Sequence, residues 1–103
     1  MKAVKVTYTV KQEFAEKNSQ NIRTFLQEVR AIGDPDMRYT VFVGEDRKTF
    51  HHLSVYNNDE SQQRFLALDS FKSFQLQRDE SGLEVEPRVE LLTVLQASHD
   101  IFI

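Results

Sequence analysis

The residues best suited to chemistry lie close together between Thr49 and Tyr56. His51 and His52 are adjacent, and successive side chains of a strand point to opposite faces, so the two imidazoles cannot bind one metal ion together. His52 shares its face with Ser54 and Tyr56. Because imidazole titrates near neutral pH, this face could hydrogen-bond a small aromatic ligand or remove a proton from it. The alternative is a partly buried histidine whose hydrogen bonds are satisfied within the fold.

Composition excludes several other kinds of chemistry. The chain has no cysteine, which removes disulfides, thiolate catalysis and thiolate metal sites. The remaining Asp, Glu, Ser and His residues lack the spacing of a metal site or a nucleophile–base pair, so we expect no metal. The net charge is -3 and neither sign forms a long block, so nucleic acid is not an expected partner.

Length and hydropathy predict one cytoplasmic domain over residues 1–103. The charged start, Met1 to Lys5, lacks the continuous apolar segment of a signal peptide. No apolar run approaches the ~20 residues that a membrane-spanning helix needs. We therefore expect no membrane partner.

The first half of the chain alternates between strand and helix patterns. Ala3 to Val10 has the two-residue period of a strand. Apolar residues in Lys11 to Ile32 recur at helical spacing, and Gly33 is the expected stop. Met37 to Gly44 and Thr49 to Tyr56 are rich in β-branched and aromatic residues, and the charged turn between them predicts a hairpin.

The second half predicts a broken helix and one strand. Asn57 to Asp59 supplies a helix cap, and a second cap near Asp69 predicts a break before a short second helix. Val89 to Leu95 is the predicted last strand, with Pro87 just before it. The predicted core stripe of the first of these helices is formed by Phe65, Leu66 and Leu68.

This β-α-β-β-α-β order predicts an α+β domain of ferredoxin-like arrangement, with four antiparallel strands and the helices on one face. Either Leu53 and Val55 or Phe50 and Tyr56 then lie on the uncovered face. A second copy of the same sheet would cover them, so we expect a homodimer. The apolar tail, residues 101–103, is expected to pack on the partner.

Two segments carry a family resemblance: Thr49-Phe-His-His-Leu-Ser-Val-Tyr-Asn-Asn and Phe65-Leu-Ala-Leu-Asp-Ser-Phe-Lys-Ser-Phe. The chain resembles the dimeric α+β barrel proteins of the antibiotic biosynthesis monooxygenase type. The resemblance implies a ferredoxin-like subunit paired into a barrel. It also implies a small aromatic or quinone-like ligand, and oxygenation that requires no cofactor.

The chain departs from this family at several positions. A haem-degrading branch has Asn, Trp and His where this chain has Thr7, Phe65 and Gln75. Glutamine cannot replace an imidazole as an axial iron ligand, so haem degradation is not expected. The family often has Glu-x-Trp where this chain has Ser54 to Tyr56, and a His where it has Ser70.

With the resemblance, the candidate catalytic residues are His52 and Tyr56. The candidate ligand-binding residues are Thr7, Ser54, Phe25, Phe65 and Phe71. The phenylalanines could line a pocket between helices and sheet, or they could be plain core. Two functions stay open: a small-ligand-binding dimer with cofactor-independent monooxygenase activity, and a non-catalytic ligand-binding or dimeric interaction module.

Overall fold

The computed structural model describes residues 1–102, apart from the side chain of Ser81. Four antiparallel strands form one sheet in the order β2-β3-β1-β4. The strands are β1 (Lys2–Val10), β2 (Met37–Val43), β3 (Thr49–Tyr56) and β4 (Leu83–Thr93). Strands β2 and β4 are therefore the two edges.

Three α-helices lie on one face of this sheet: α1 (Ala15–Ile32), α2 (Asp59–Leu66) and α3 (Asp69–Gln77). A 3-10 turn precedes α1, and a π-helical turn, Arg78–Gly82, follows α3. Helix α1 ends at Gly33, whose φ of 65° is left-handed and favours glycine. Helix α2 is capped by Asn58, whose side chain accepts a hydrogen bond from the Ser61 N–H. The predicted ferredoxin-like α+β arrangement is confirmed.

The strand register decides which side chains lie under the helices. Val6 and Val41 flank His52 on the two neighbouring strands, and Tyr8 pairs with Phe50. The core cluster on this face includes Tyr8, Val10, Phe50 and Tyr56. Side chains at the alternate positions point to the opposite face, which we call the open face. Leu53 and Val55 lie there and are half-buried.

The prediction that Leu66 belongs to the core stripe of α2 is wrong. Phe65 is 4% exposed and packs in the core, whereas Leu66 is 47% exposed. Adjacent residues of a helix point about 100° apart, so both cannot face the sheet. Only Phe65 does.

Strand β4 is longer than predicted, because it begins at Leu83 and not at Val89. Pro87 therefore lies inside the strand. This is tolerated because β4 is an edge strand, and the register of its pairing with β1 shifts nearby, between Thr7 and Thr9.

The C-terminal tail runs back toward the sheet of its own chain. The Arg38 guanidinium lies 5.1 Å from the centre of the Phe102 ring. Ile103 lies outside the described residues, and the expected packing of the tail on a partner stays a prediction. Within residues 1–102, none of the helices combines the length and apolarity needed to cross a membrane.

Candidate functional site

His52 lies at the centre of the helix-covered face, on the third strand of the chain and between two neighbouring strands. Its side chain is 3% exposed. Both ring nitrogens contact phenols: Nε2 lies 2.7 Å from the Tyr8 hydroxyl, and Nδ1 lies 2.8 Å from the Tyr39 hydroxyl. The hydrogen-bonding capacity of this imidazole is therefore satisfied by two side chains that the sequence does not place beside it.

Helix α1 extends this arrangement through Asn18. The Asn18 amide donates to the Tyr8 hydroxyl at 3.0 Å, which completes a continuous series of contacts that we call the buried chain: Asn18, Tyr8, His52 and Tyr39. Asn18 is fully buried, and among the described residues its side-chain oxygen has no hydrogen-bond partner. It lies on the apolar stripe of α1, four residues before Ile22 and seven before Phe25.

The direction of the hydrogen bonds follows from what each group can donate. The Tyr8 oxygen accepts from Asn18, so the Tyr8 hydroxyl proton can be donated to His52 Nε2. A neutral imidazole has one acceptor and one donor nitrogen, which makes Nδ1–H the donor to Tyr39. We infer this tautomer from the contacts. It leaves the Tyr39 hydroxyl proton directed away from His52.

A buried arginine lies beside the buried chain. The Arg78 guanidinium lies 5.0 Å from the centre of the Tyr8 ring and 5.4 Å from that of Phe74, and its Nε donates to the Asp79 carboxylate at 2.9 Å. Burial, together with a smaller effect of the Arg78 charge, lowers the pKa of His52 to about 3. His52 is therefore a neutral imidazole at neutral pH.

The tyrosines of the buried chain are also neutral. Burial raises the pKa of both Tyr8 and Tyr39 above the ordinary phenol value. The buried chain therefore suits hydrogen bonding better than proton removal, because a base with a pKa near 3 has little proton affinity at pH 7.

The predicted aromatic layer is closely packed. Ring centres lie 4.3 Å apart for Phe65 and Phe71, 5.3 Å for Phe25 and Phe71, and 6.0 Å for Phe25 and Phe65. These distances are typical of contacting aromatic rings. The three rings meet as core, so a ligand would have to approach the buried chain from outside this layer.

Such an approach exists along the free edge of β2. A groove of about 460 Å³ separates α1 from β2, and we call it the α1–β2 groove. Ile22, Leu26 and Phe50 contribute apolar surface to it. Tyr39 lines the same groove and is only partly buried. The Tyr39 side chain thus connects the groove to His52.

The structure brings only some of the predicted site residues together. Phe25 stacks on His52 with ring centres 6.3 Å apart, and Ser54 lies on the same face. Thr7 is on the open face, where its hydroxyl lies 3.4 Å from His51. Tyr56 is buried near Phe65, and burial raises its pKa. The phenols on His52 are Tyr8 and Tyr39, not Tyr56.

Four residues of the site are missing from the predicted site residues: Asn18, Tyr8, Tyr39 and Arg78. Asn18 has a visible signal, since a polar residue that disfavours helices occupies a position of the α1 apolar stripe. Tyr39 could be found from the hairpin register, which pairs it with Ser54, two residues from His52. Arg78 has no comparable signal, because the π-helical turn that directs it inward is not a sequence pattern. Among the described residues, no group of three acidic or His side chains could hold a metal ion.

Comparison with known proteins finds similarity in structure. No protein-family model matches the sequence, and the curated proteins include no match. An antibiotic biosynthesis monooxygenase of known structure superposes with a TM-score of 0.78 at 15% identity, over 93% of this chain and all of that one. Rv0793 from Mycobacterium tuberculosis superposes with a TM-score of 0.79 at 13% identity, over 95% of this chain and 98% of that one.

A third structure is SnoaB, a cofactor-independent oxygenase from Streptomyces nogalater. It has a TM-score of 0.72 and 14% identity, over 96% of this chain and 97% of that one. The chain has the fold of these proteins. The antibiotic biosynthesis monooxygenase fold that the sequence resemblance predicted is thereby confirmed, while identities this low carry no residue roles across.

Proposed function

We propose that this protein is a homodimer that binds a small aromatic or quinone-like compound in the α1–β2 groove. The observation that carries the proposal is Tyr39, whose ring lines the groove and whose hydroxyl contacts His52 at 2.8 Å. Concave sites that bind small ligands combine mostly apolar walls with a few fixed polar groups. The groove offers both.

Packing gives Tyr39 the rigidity that such a contact requires. Its ring meets Phe25 edge-on, with centres 5.5 Å apart, and lies 4.9 Å from the Phe65 ring. Because Nδ1–H of His52 donates to the Tyr39 oxygen, the Tyr39 proton does not engage His52, and a ligand oxygen that reaches this hydroxyl would accept it. Tyr39 therefore replaces Tyr56 as the proposed polar contact.

Cofactor-independent oxygenation is the catalytic form of this proposal. It is supported by fold similarity to an oxygenase and by the imidazole behind Tyr39. In this form the ligand would bind as an anion already formed in water, Tyr39 would donate a hydrogen bond to the anionic oxygen, and the site would exclude water while the anion reacts with oxygen. His52 would act through Tyr39, as a positioning residue rather than in direct contact.

The non-catalytic alternative is also supported by an observation. The low pKa of His52 and the packed phenylalanine layer favour a protein that binds its ligand, or another copy of itself, without chemistry. The open face, where Leu53 and Val55 lie half-buried, supports self-association. A cytoplasmic location stays a prediction.

Binding is tested by calorimetric titration with naphthol and naphthohydroquinone. We expect Tyr39→Phe to bind about fivefold to tenfold more weakly than the wild type, because it lacks the hydroxyl. Ser73→Ala, an exposed substitution on α3, should bind like the wild type. Absence of binding to the wild type would contradict the proposal.

Catalysis is tested separately, by oxygen consumption with the same naphthohydroquinone. If the oxygenase form holds, the wild type consumes oxygen faster than the uncatalysed control and His52→Gln is slower. Binding without added oxygen consumption would support the non-catalytic form. Equal rates in the wild type and His52→Gln would exclude a required role for His52.

A further inference from the structure

The rim of the α1–β2 groove carries positive charge. Arg23 and Arg30 both line the groove, with Leu26 between them. Their spacing of three and four residues places all three on one face of α1. Over seven residues the helix rises about 10 Å, so the two arginines lie on either side of an apolar position.

These arginines are weakly engaged by the protein itself. Arg23 is 3.9 Å from the Glu16 carboxylate, a long contact between two exposed side chains. Among the described residues, Arg30 forms no ion pair, and the lining of this groove includes no carboxylate. Glu28, the nearest acidic residue along the chain to Arg30, is two positions away and so lies on a different face of α1. Asp34, four positions after Arg30, is held by Arg64 at 2.9 Å and by the Ser61 hydroxyl at 2.7 Å.

The chemistry of the rim selects for an anion. A guanidinium binds a carboxylate through two parallel N–H···O bonds, and it stays charged at any physiological pH. Below the rim, the groove surface is apolar at Ile22 and Leu26 and aromatic at Tyr39. A ligand that uses both parts must carry an acid group on a flat apolar ring.

We infer that the ligand of this groove is an aromatic carboxylate, with its ring against Leu26 and Tyr39 and its carboxylate on Arg30. This rests on the proposed function and adds the charge of the ligand to it. Arg23 is the second cation, seven residues away on the same helix face. Both arginines lie on the helix side of the sheet, away from the open face, so dimer formation leaves them accessible.

The test compares three compounds that share one ring system: naphthoate, naphthylmethanol and naphthylmethylammonium. Dissociation constants are measured by calorimetry for the wild type, Arg30→Gln and Lys72→Gln. Lys72 is exposed on α3 and outside the groove lining, so its variant is a matched control for the loss of one positive charge. We expect naphthoate to bind the wild type at least about tenfold more tightly than naphthylmethanol, because its contact is charge-assisted.

Arg30→Gln should lose at least about fivefold in affinity for naphthoate and nothing for naphthylmethanol. Lys72→Gln should match the wild type with both. Equal binding of naphthoate and naphthylmethanol, unchanged in Arg30→Gln, would overturn the inference and leave the proposed function standing. Equal losses of naphthoate affinity in Arg30→Gln and Lys72→Gln would also overturn the inference, because they would indicate long-range charge attraction rather than a contact with Arg30. Failure of all three compounds to bind would instead overturn the proposed function.

Discussion

At the scale of single residues, the unusual feature is a neutral histidine saturated by two tyrosines inside an aromatic core. Buried polar groups stabilise a fold only when they are hydrogen-bonded, and His52 is bonded at both nitrogens. Protonation of the His52 ring would destabilise the fold. Imidazolium would be buried, would lose one acceptor contact and would stand near the Arg78 charge.

This destabilisation predicts a pH dependence of stability. In the unfolded chain, His52 binds a proton below about pH 6.5, whereas in the folded chain it stays neutral down to about pH 3. Between these values the unfolded state binds more protons, so the free energy of unfolding falls as the pH falls. From about pH 7.5 to about pH 5.5 the expected loss from this group is about 1.4 kcal/mol.

Urea unfolding at those two pH values measures this loss. His52→Gln should remove it, whatever its effect on absolute stability. His99→Gln, a substitution of an exposed histidine in the tail, should retain it. The same loss in the wild type and His52→Gln would show that another group causes it.

The sequence predicts the importance of His52 but not its partners. The two-residue period of the third strand is enough to place His52, Ser54 and Tyr56 on one face. The contact with Tyr8 spans 44 positions in the chain and depends on how β1 pairs with β3. A local pattern cannot specify that register.

At the scale of elements, local signals locate most of the helices and strands. The charged hairpin turn, Gly33 after α1 and the Asn58 cap all act through short-range backbone chemistry, and each appears where predicted. The phase of α2 is different, because Phe65 and Leu66 are both apolar and only the packing against the sheet distinguishes them. Strand β4 was predicted too short since Pro87 suggested a boundary, whereas the edge position tolerates it.

The phase of α2 is tested by two adjacent substitutions. Phe65→Ala removes a buried ring that contacts Phe71, Phe25 and Tyr39. We expect it to lower the free energy of unfolding by about 3–5 kcal/mol. Leu66→Ala, at a half-exposed position, should cost less than about 1 kcal/mol.

Denaturant unfolding of both variants gives the comparison. If Phe65→Ala fails to fold, Phe65→Leu provides a milder change at the same site. Equal costs at the two positions, or a larger cost at Leu66, would mean that α2 is rotated relative to the orientation described.

At the scale of the whole molecule, one face of the sheet is covered by helices and the other is not. Ala3, Val55 and Leu92 form an apolar row across the open face, and Leu53 lies in the next row. A two-fold axis would bury this patch twice in one interface. An obligate interface of this type buries more than ~2,000 Å² in total.

Sedimentation equilibrium at low micromolar concentration tests the proposed homodimer. We expect a mass near twice the 12.1 kDa chain. Leu53→Asp should shift the mass toward that of the monomer, because a carboxylate without a partner would be buried in the interface. Leu76→Asp, at an exposed apolar position on α3, should remain dimeric. A wild-type monomer would contradict the barrel assembly.

The proposed ligand site for a small aromatic compound lies between α1 and the free edge of β2. Its most direct test is an NMR titration of the labelled protein with naphthol and then naphthoate, following every backbone amide. We expect the largest shift changes in residues 22–30 and 37–43, with His52 and Tyr8 responding through Tyr39. Shift changes confined to the open face, or none at saturating ligand, would contradict it.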